Sequence, residues 1–101
     1  MREDRVRRRL AAIMAADIVG FSRLMEANEE GTLDAIRQHR QVFFDPAVAR
    51  HDGRIFKAMG DGLLIEFASA VDAAQCAIEI QRGMAARNAD VPEDRHIRFR
   101  I

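Results

Sequence analysis

Two aspartates stand out by the company they keep. Asp17 follows the apolar run Leu10-Ala11-Ala12-Ile13-Met14-Ala15-Ala16, and Asp61 lies between Gly60 and Gly62. Both fall where strand chemistry gives way to turn chemistry. Carboxylates are hard oxygen donors of the kind that suit magnesium or manganese, ions that keep waters and take further ligands from a substrate's phosphates. Neighbouring strands lie about 5 Å apart. If the strands that end at Asp17 and begin after Asp61 are adjacent, the two carboxylates can converge on one metal cluster. The competing reading of Asp61 is a plain turn former, since Asp between glycines is common in turns.

Other residues carry weaker signals. Gly20, in Asp17-Ile18-Val19-Gly20-Phe21-Ser22, keeps the loop after the first strand compact, so its backbone N–H groups could point at an anion. The loop is no P-loop, lacking the glycine spacing and the Lys-Ser/Thr pair. Lys57 alternates with Phe56 and Ala58 four residues before Asp61, a position where an exposed strand lysine is usually bland. His39, His51 and His96 stand at no metal-ligand spacing and read as surface or helix-end residues. Asp52, Glu66, Asp72 and Glu79 read as solvated charge, and Cys76 as core filler. No Ser-His-Asp or Cys-His arrangement is arguable in a chain of this length.

The elements that must position the aspartates follow from periodicity. Leu10 to Ala16 reads as a short strand buried on both faces. A helix starts with Asn28 as N-cap and Glu29 and Glu30 in its first turn. Leu33, Ile36, Phe43, Phe44, Ala47 and Val48 keep helical spacing, and Pro46 should kink the helix or end its regular part. Arg54 to Met59 and Leu63 to Phe67 form a hairpin about the Gly60-Asp61-Gly62 turn. Ser69, with Asp72 three residues on, opens a second helix whose inward stripe is Val71, Ala74, Ala77, Ile78 and Met84, fading near Asn88. Ile97, Phe99 and Ile101 alternate with His96, Arg98 and Arg100 as a last strand with one wet face. The order strand, helix, strand, strand, helix, strand predicts an α+β fold, a ferredoxin-like βαββαβ sheet with both helices on one face. The pattern breaks off at Ile101 while still apolar, so the expectation is a domain cut before its final elements.

Composition bounds the rest. In 101 residues, 49% hydrophobic and 32% charged, there is room for one small globular domain, residues 10–101, after a basic tail or linker end over 1–9. So small a domain is marginal alone, which makes association a reasonable expectation. Sixteen basic residues balance sixteen acidic ones, so no overall field draws the chain to nucleic acid or anionic membrane. The basic head before Leu10 imitates a secretory signal, but the apolar run is short and Asp17 ends it. No stretch approaches the roughly 20 apolar residues of a membrane span. One cysteine excludes an internal disulfide and suits a reducing cytosol.

Taken together, Ala15-Ala16-Asp17-Ile18-Val19-Gly20-Phe21-Ser22 and Ile55-Phe56-Lys57-Ala58-Met59-Gly60-Asp61-Gly62 resemble the two signature segments of class III adenylate and guanylate cyclases. Arg9 to Met14 and Gly62-Leu63-Leu64-Ile65-Glu66-Phe67 resemble bacterial members of that family too, so the resemblance runs from about Arg9 to Ile101. It implies that Asp17, Asp61 and the backbone carbonyl of Ile18 hold two magnesium or manganese ions. One would activate a ribose 3′-hydroxyl and the other hold the triphosphate. It further implies that Val19, Gly20, Phe21 and Ser22 cradle phosphate oxygens and that Lys57 contacts adenine, where guanylate cyclases carry an acidic residue. The implied activity is that of an adenylate cyclase, a phosphorus-oxygen lyase converting ATP to 3′,5′-cyclic AMP and pyrophosphate in the cytoplasm, at a site shared between two cyclase domains.

The departures count as well. In the family, the region beyond the last strand supplies a second base-reading side chain and an asparagine and arginine that stabilise the transition state. Without them a dimer of this chain should bind metal and not turn over, each missing group costing on the order of 100-fold or more. An alternative of a different class is a catalytically inactive dimerisation or regulatory partner of an intact cyclase. A diguanylate cyclase of the GGDEF type lacks support because its hairpin motif is absent. An RNA-recognition module fits the strand order, but Leu63 to Phe67 shows no paired aromatics.

Overall fold

The structure of the protein, a computed structural model, describes residues 11–101. The basic segment and Leu10, assigned above to a tail and to the start of the first strand, lie outside the described residues. The elements run β1 (Ala12–Ile18), α1 (Phe21–Ala27), α2 (Glu29–His39), α3 (Asp45–Arg50), β2 (Arg54–Met59), β3 (Gly62–Phe67), α4 (Ala70–Asn88) and β4 (Phe99–Arg100). The sheet order is β2-β3-β1-β4, and every neighbouring pair is antiparallel. This is the expected α+β, ferredoxin-like arrangement: β3 inserts between β1 and β2, and β4 returns to the far side of β1.

β1 corrects the first expectation. Met14, Ala16 and Ile18 are buried, whereas Ala15 is exposed and Ile13 is 54% exposed. The strand has one covered face and one open face, so the apolar run did not mean burial on both sides. It also extends through Asp17 to Ile18. The covered face joins Leu63, Ile65, Phe67 and Phe99 in a core closed by Phe44, Ala47, Val48, Cys76, Ile80 and Met84.

The helices show why spacing alone misled in places. Asn28 caps α2 as expected, its side chain accepting the Gly31 N–H at 3.0 Å. The chain then passes through a π-helical turn, Arg40–Phe44, straight into α3. Ahead of Pro46 the regular part of α2 ends, as expected, while the helical path itself continues. Pro46 has no N–H for the residue four back and would crowd that carbonyl, and the ladder widens just before it, with Asp45 N–H reaching Arg40 O. Ser69 caps α4 through Asp72 N–H at 3.0 Å. The stripe of α4 is shifted from the one expected: Cys76, Ile80, Met84 and Asn88 are buried, while Val71 and Ile78 are 64% and 51% exposed. Helix α1 was not foreseen. It has one buried residue, Leu24, no acidic residue in its first turn, and a left-handed Gly20 in place of a side-chain cap.

Candidate functional site

Pairing of β1 with β3 is what brings Asp61 to the end of β1, beside the residue that follows Asp17. The register sets Ala16 against Leu63, so two residues on, the end of β1 faces the turn that precedes β3. Asp61 Oδ2 there accepts the Ile18 N–H at 2.9 Å. In an antiparallel strand the N–H and C=O of one residue point to the same side. The Ile18 carbonyl is therefore directed toward Asp61 as well, immediately after Asp17. Gly60, at φ 58°, supplies the left-handed turn that a β-carbon would strain.

Asp17 projects to the open face, alternating with Ala16 and Ile18 below. Its carboxylate is chelated by Arg100, its partner across the β1/β4 ladder, with Nε to Oδ1 at 2.9 Å and Nη2 to Oδ2 at 2.8 Å. That hydrogen-bonded carboxylate, its charge, and the charge of Asp61 all raise the guanidinium's affinity for its proton. Among the described residues no third His, Cys, Asp or Glu joins the two aspartates. The donor set is two carboxylates and a carbonyl, all hard oxygens. It fits a small divalent cation that takes its other ligands from water and phosphate, provided Arg100 yields Asp17.

Lys57 reaches the same face through an irregularity. From Ile55, paired with Ile65 on the core side, simple alternation would send Lys57 inward. A bulge between Ile55 and Lys57 instead pairs Lys57 with Leu64, and the extra residue turns it outward. Lys57, Asp17 and Arg100 line one open cavity of about 370 Å³ with Ala15, Met59 and Leu64. The loop after β1 is shorter than expected, because Phe21 and Ser22 already form the first turn of α1. Val19 donates its N–H to Arg98 O at 2.9 Å, leaving the amides of Gly20, Phe21 and Ser22, without intrahelical partners, as the donors an anion could use.

The remaining titratable groups serve the helical side. Burial pushes the Cys76 thiol up to about 11, with Glu79 adding to the effect, so it is no nucleophile at neutral pH. Glu79 is not the solvated charge expected: His51 Nε2 lies 2.8 Å from it and Arg50 also pairs with it. Hydrogen bonding from His51, then from Arg50, holds its carboxyl below the usual range. Glu66 likewise pairs with Arg54 across β2 and β3. His39 ends α2 and accepts from Arg87 Nε at 2.9 Å, and burial, then the Arg87 charge, lowers its proton affinity. Arg100 is the site residue that sequence reasoning left in the wet half of an alternating strand; only the β1/β4 register shows what it meets.

Comparison with known proteins agrees with this fold. The chain matches no protein-family model. It is 50% identical over all 101 residues to a Rhizobium meliloti (strain 1021) protein named "Putative adenylate cyclase 3", of which it spans 17%. Over 90 residues, 88% of this chain and 11% of the other, it is 30% identical to "Serine/threonine-protein kinase pkn2" of Myxococcus xanthus. Among solved structures, the adenylate/guanylate cyclase/hydrolase from Silicibacter pomeroyi superposes with a TM-score of 0.81 at 43% identity, covering 94% of this chain and 54% of that one. The chain thus spans about half of the solved protein and a smaller part of the curated relatives. Near-complete alignment of this chain at such identity, on the same architecture, places it in the class III adenylate and guanylate cyclase domain family.

Proposed function

We propose that this chain supplies the metal-binding half of a class III cyclase site and that the intact domain converts ATP to 3′,5′-cyclic AMP and pyrophosphate. The observation that carries the reading is the junction at Ile18, where Asp61 bonds the backbone one residue beyond Asp17. Asp17, Asp61 and the Ile18 carbonyl are the groups that would hold magnesium or manganese. When bound, the ions would lower the pKa of the ribose 3′-hydroxyl and neutralise charge on the triphosphate. The chain's own part is positional: β1 and the hairpin turn hold two carboxylates at fixed register, the amides of Gly20, Phe21 and Ser22 face incoming phosphate, and Lys57 stands on the same open face to meet the adenine. The Lys57 ammonium favours ATP over GTP. With one sheet face open and the other buried, a second cyclase domain, the same chain or another, would cover that face and complete the site. No helix among the described residues is long and apolar enough to cross a membrane, and a single cysteine, Cys76, in no disulfide suits the cytoplasm.

The test is calorimetry of a non-hydrolysable ATP analogue with the full chain, with and without manganese, for the wild type and for Asp17→Asn and Asp61→Asn. Metal-dependent binding in the wild type that falls at least tenfold in both variants, with unchanged thermal midpoints, is the expected result. Binding that ignores either substitution sinks the reading.

A further inference from the structure

Asp17 is held from within the chain. The Arg100 guanidinium engages both of its oxygens, the two atoms a divalent cation would draw on, and the fork is well matched to a carboxylate. Arg100 is not there by chance of a flexible chain. β4 and the segment leading into it are pinned by side chains of α4: Asn88, 4% exposed, donates Nδ2 to Ile97 O at 2.9 Å and accepts the Ile97 N–H at 3.2 Å. Gln81 Nε2 donates to Phe99 O at 2.7 Å. These amides stand where a further strand would pair, and they fix Arg100 opposite Asp17.

We propose that Arg100 is an internal gate on the aspartate pair, chelating Asp17 in the metal-free chain, so that a divalent cation binds only as the guanidinium leaves. The inference rests on the cyclase reading of Asp17 and Asp61. The Arg100 side chain is 71% exposed, so it can swing into water with little loss of packing, while the backbone of β4 stays clamped to α4. The contact is therefore a weak competitor that exchanges readily. An exposed pair of this kind sets the scale, about a two- to fivefold effect on metal affinity.

The experiment titrates Mn²⁺ alone into the 101-residue chain, reading free ion by electron paramagnetic resonance. It compares wild type, Arg100→Ala and Arg100→Gln, with Asp61→Asn marking the site. A second readout follows the Arg100 Nε–H resonance in the wild type during a Mg²⁺ titration. Mn²⁺ affinity is expected to rise about two- to fivefold in both Arg100 variants, and the Nε–H signal to move to solvent-exchanging behaviour as Mg²⁺ saturates. If Mn²⁺ binding is lost in Asp61→Asn yet is equal or weaker in both Arg100 variants, or the Nε–H signal stays unmoved at saturation, the gate is overturned while the metal site stands. Absence of Mn²⁺ binding in every variant, with the chains folded, overturns the metal site and the gate together.

Discussion

The two faces of one sheet divide the labour of this chain, and β1 shows the division residue by residue. Met14, Ala16 and Ile18 point into the core, while Ile13, Ala15 and Asp17 point the other way. On β3 the same alternation separates Leu63, Ile65 and Phe67 from Leu64 and Glu66. The covered face is closed by large apolar side chains; the open face collects Asp17, Lys57 and Arg100 around a shallow cavity. The difference teaches that stability and chemistry are separable here by parity. Changing a covered residue should cost folding. Changing an open-face residue should cost ligand binding with folding intact, as the Asp17→Asn variant would test.

The largest effect is expected where the covered face is densest. Phe44 is fully buried and its ring lies 4.7 Å from that of Phe99, tilted by 43°. Phe44→Ala removes that contact and leaves a cavity, a change that typically costs about 3 to 5 kcal/mol. For a domain this small, with total stability of about 5 to 15 kcal/mol, urea unfolding should show a midpoint lowered by about a fifth or more. A loss under about 1 kcal/mol would mean that the core does not organise around the π-helical turn.

A smaller effect is expected at Gly83 on α4, where alanine ordinarily gains up to about 1 kcal/mol of helix propensity. A β-carbon there would meet Phe43 Cζ at 2.1 Å, so the ring, which lies under the Arg87 guanidinium, must move. The clash outweighs the propensity gain, and Gly83→Ala should lower stability by about 1 to 2 kcal/mol in thermal denaturation. Adding Phe43→Leu should recover most of that loss; a stabilising Gly83→Ala would show that the ring moves freely.

Legibility in the sequence also followed this division. The strand order, the hairpin turn at Asp61, the Asn28 and Ser69 caps and the end of α4 at Asn88 were readable, because each rests on local chemistry: a turn residue, a capping oxygen, a period of two. What escaped depends on contacts made elsewhere. Lys57 reads as exposed from the sequence, but the bulge that keeps it outward is a feature of the pairing with β3. The spacing puts Met84 in the inward stripe of α4, where it lies, but also Val71 and Ile78, which are exposed; Cys76 and Ile80 are buried instead, on the helix whose Gly83 meets Phe43 and whose Asn88 reaches Ile97. Adjacency of the strands that carry Asp17 and lead from Asp61 is the condition the sequence leaves open, and the β1/β3 register meets it. The grip of Arg100 on Asp17 needs the β1/β4 register, which two residues of β4 give no means to foresee.

The smallest effect sharpens the comparison most. Ile13 has the same kind of side chain as Ile65, but it is 54% exposed on the open face and pairs with Glu66, whereas Ile65 is fully buried. Ile13→Thr keeps the β-branched shape that suits a strand and removes only apolar surface already in water, so at micromolar chain concentration its unfolding free energy should stay within about 0.5 kcal/mol of wild type. If the open face meets a second copy of the chain, the same substitution should instead lower the midpoint in a way that grows with protein concentration, since only association links stability to concentration. A loss above about 1.5 kcal/mol that is independent of concentration would break the parity rule itself, by showing that β1 has two buried faces within one folded chain.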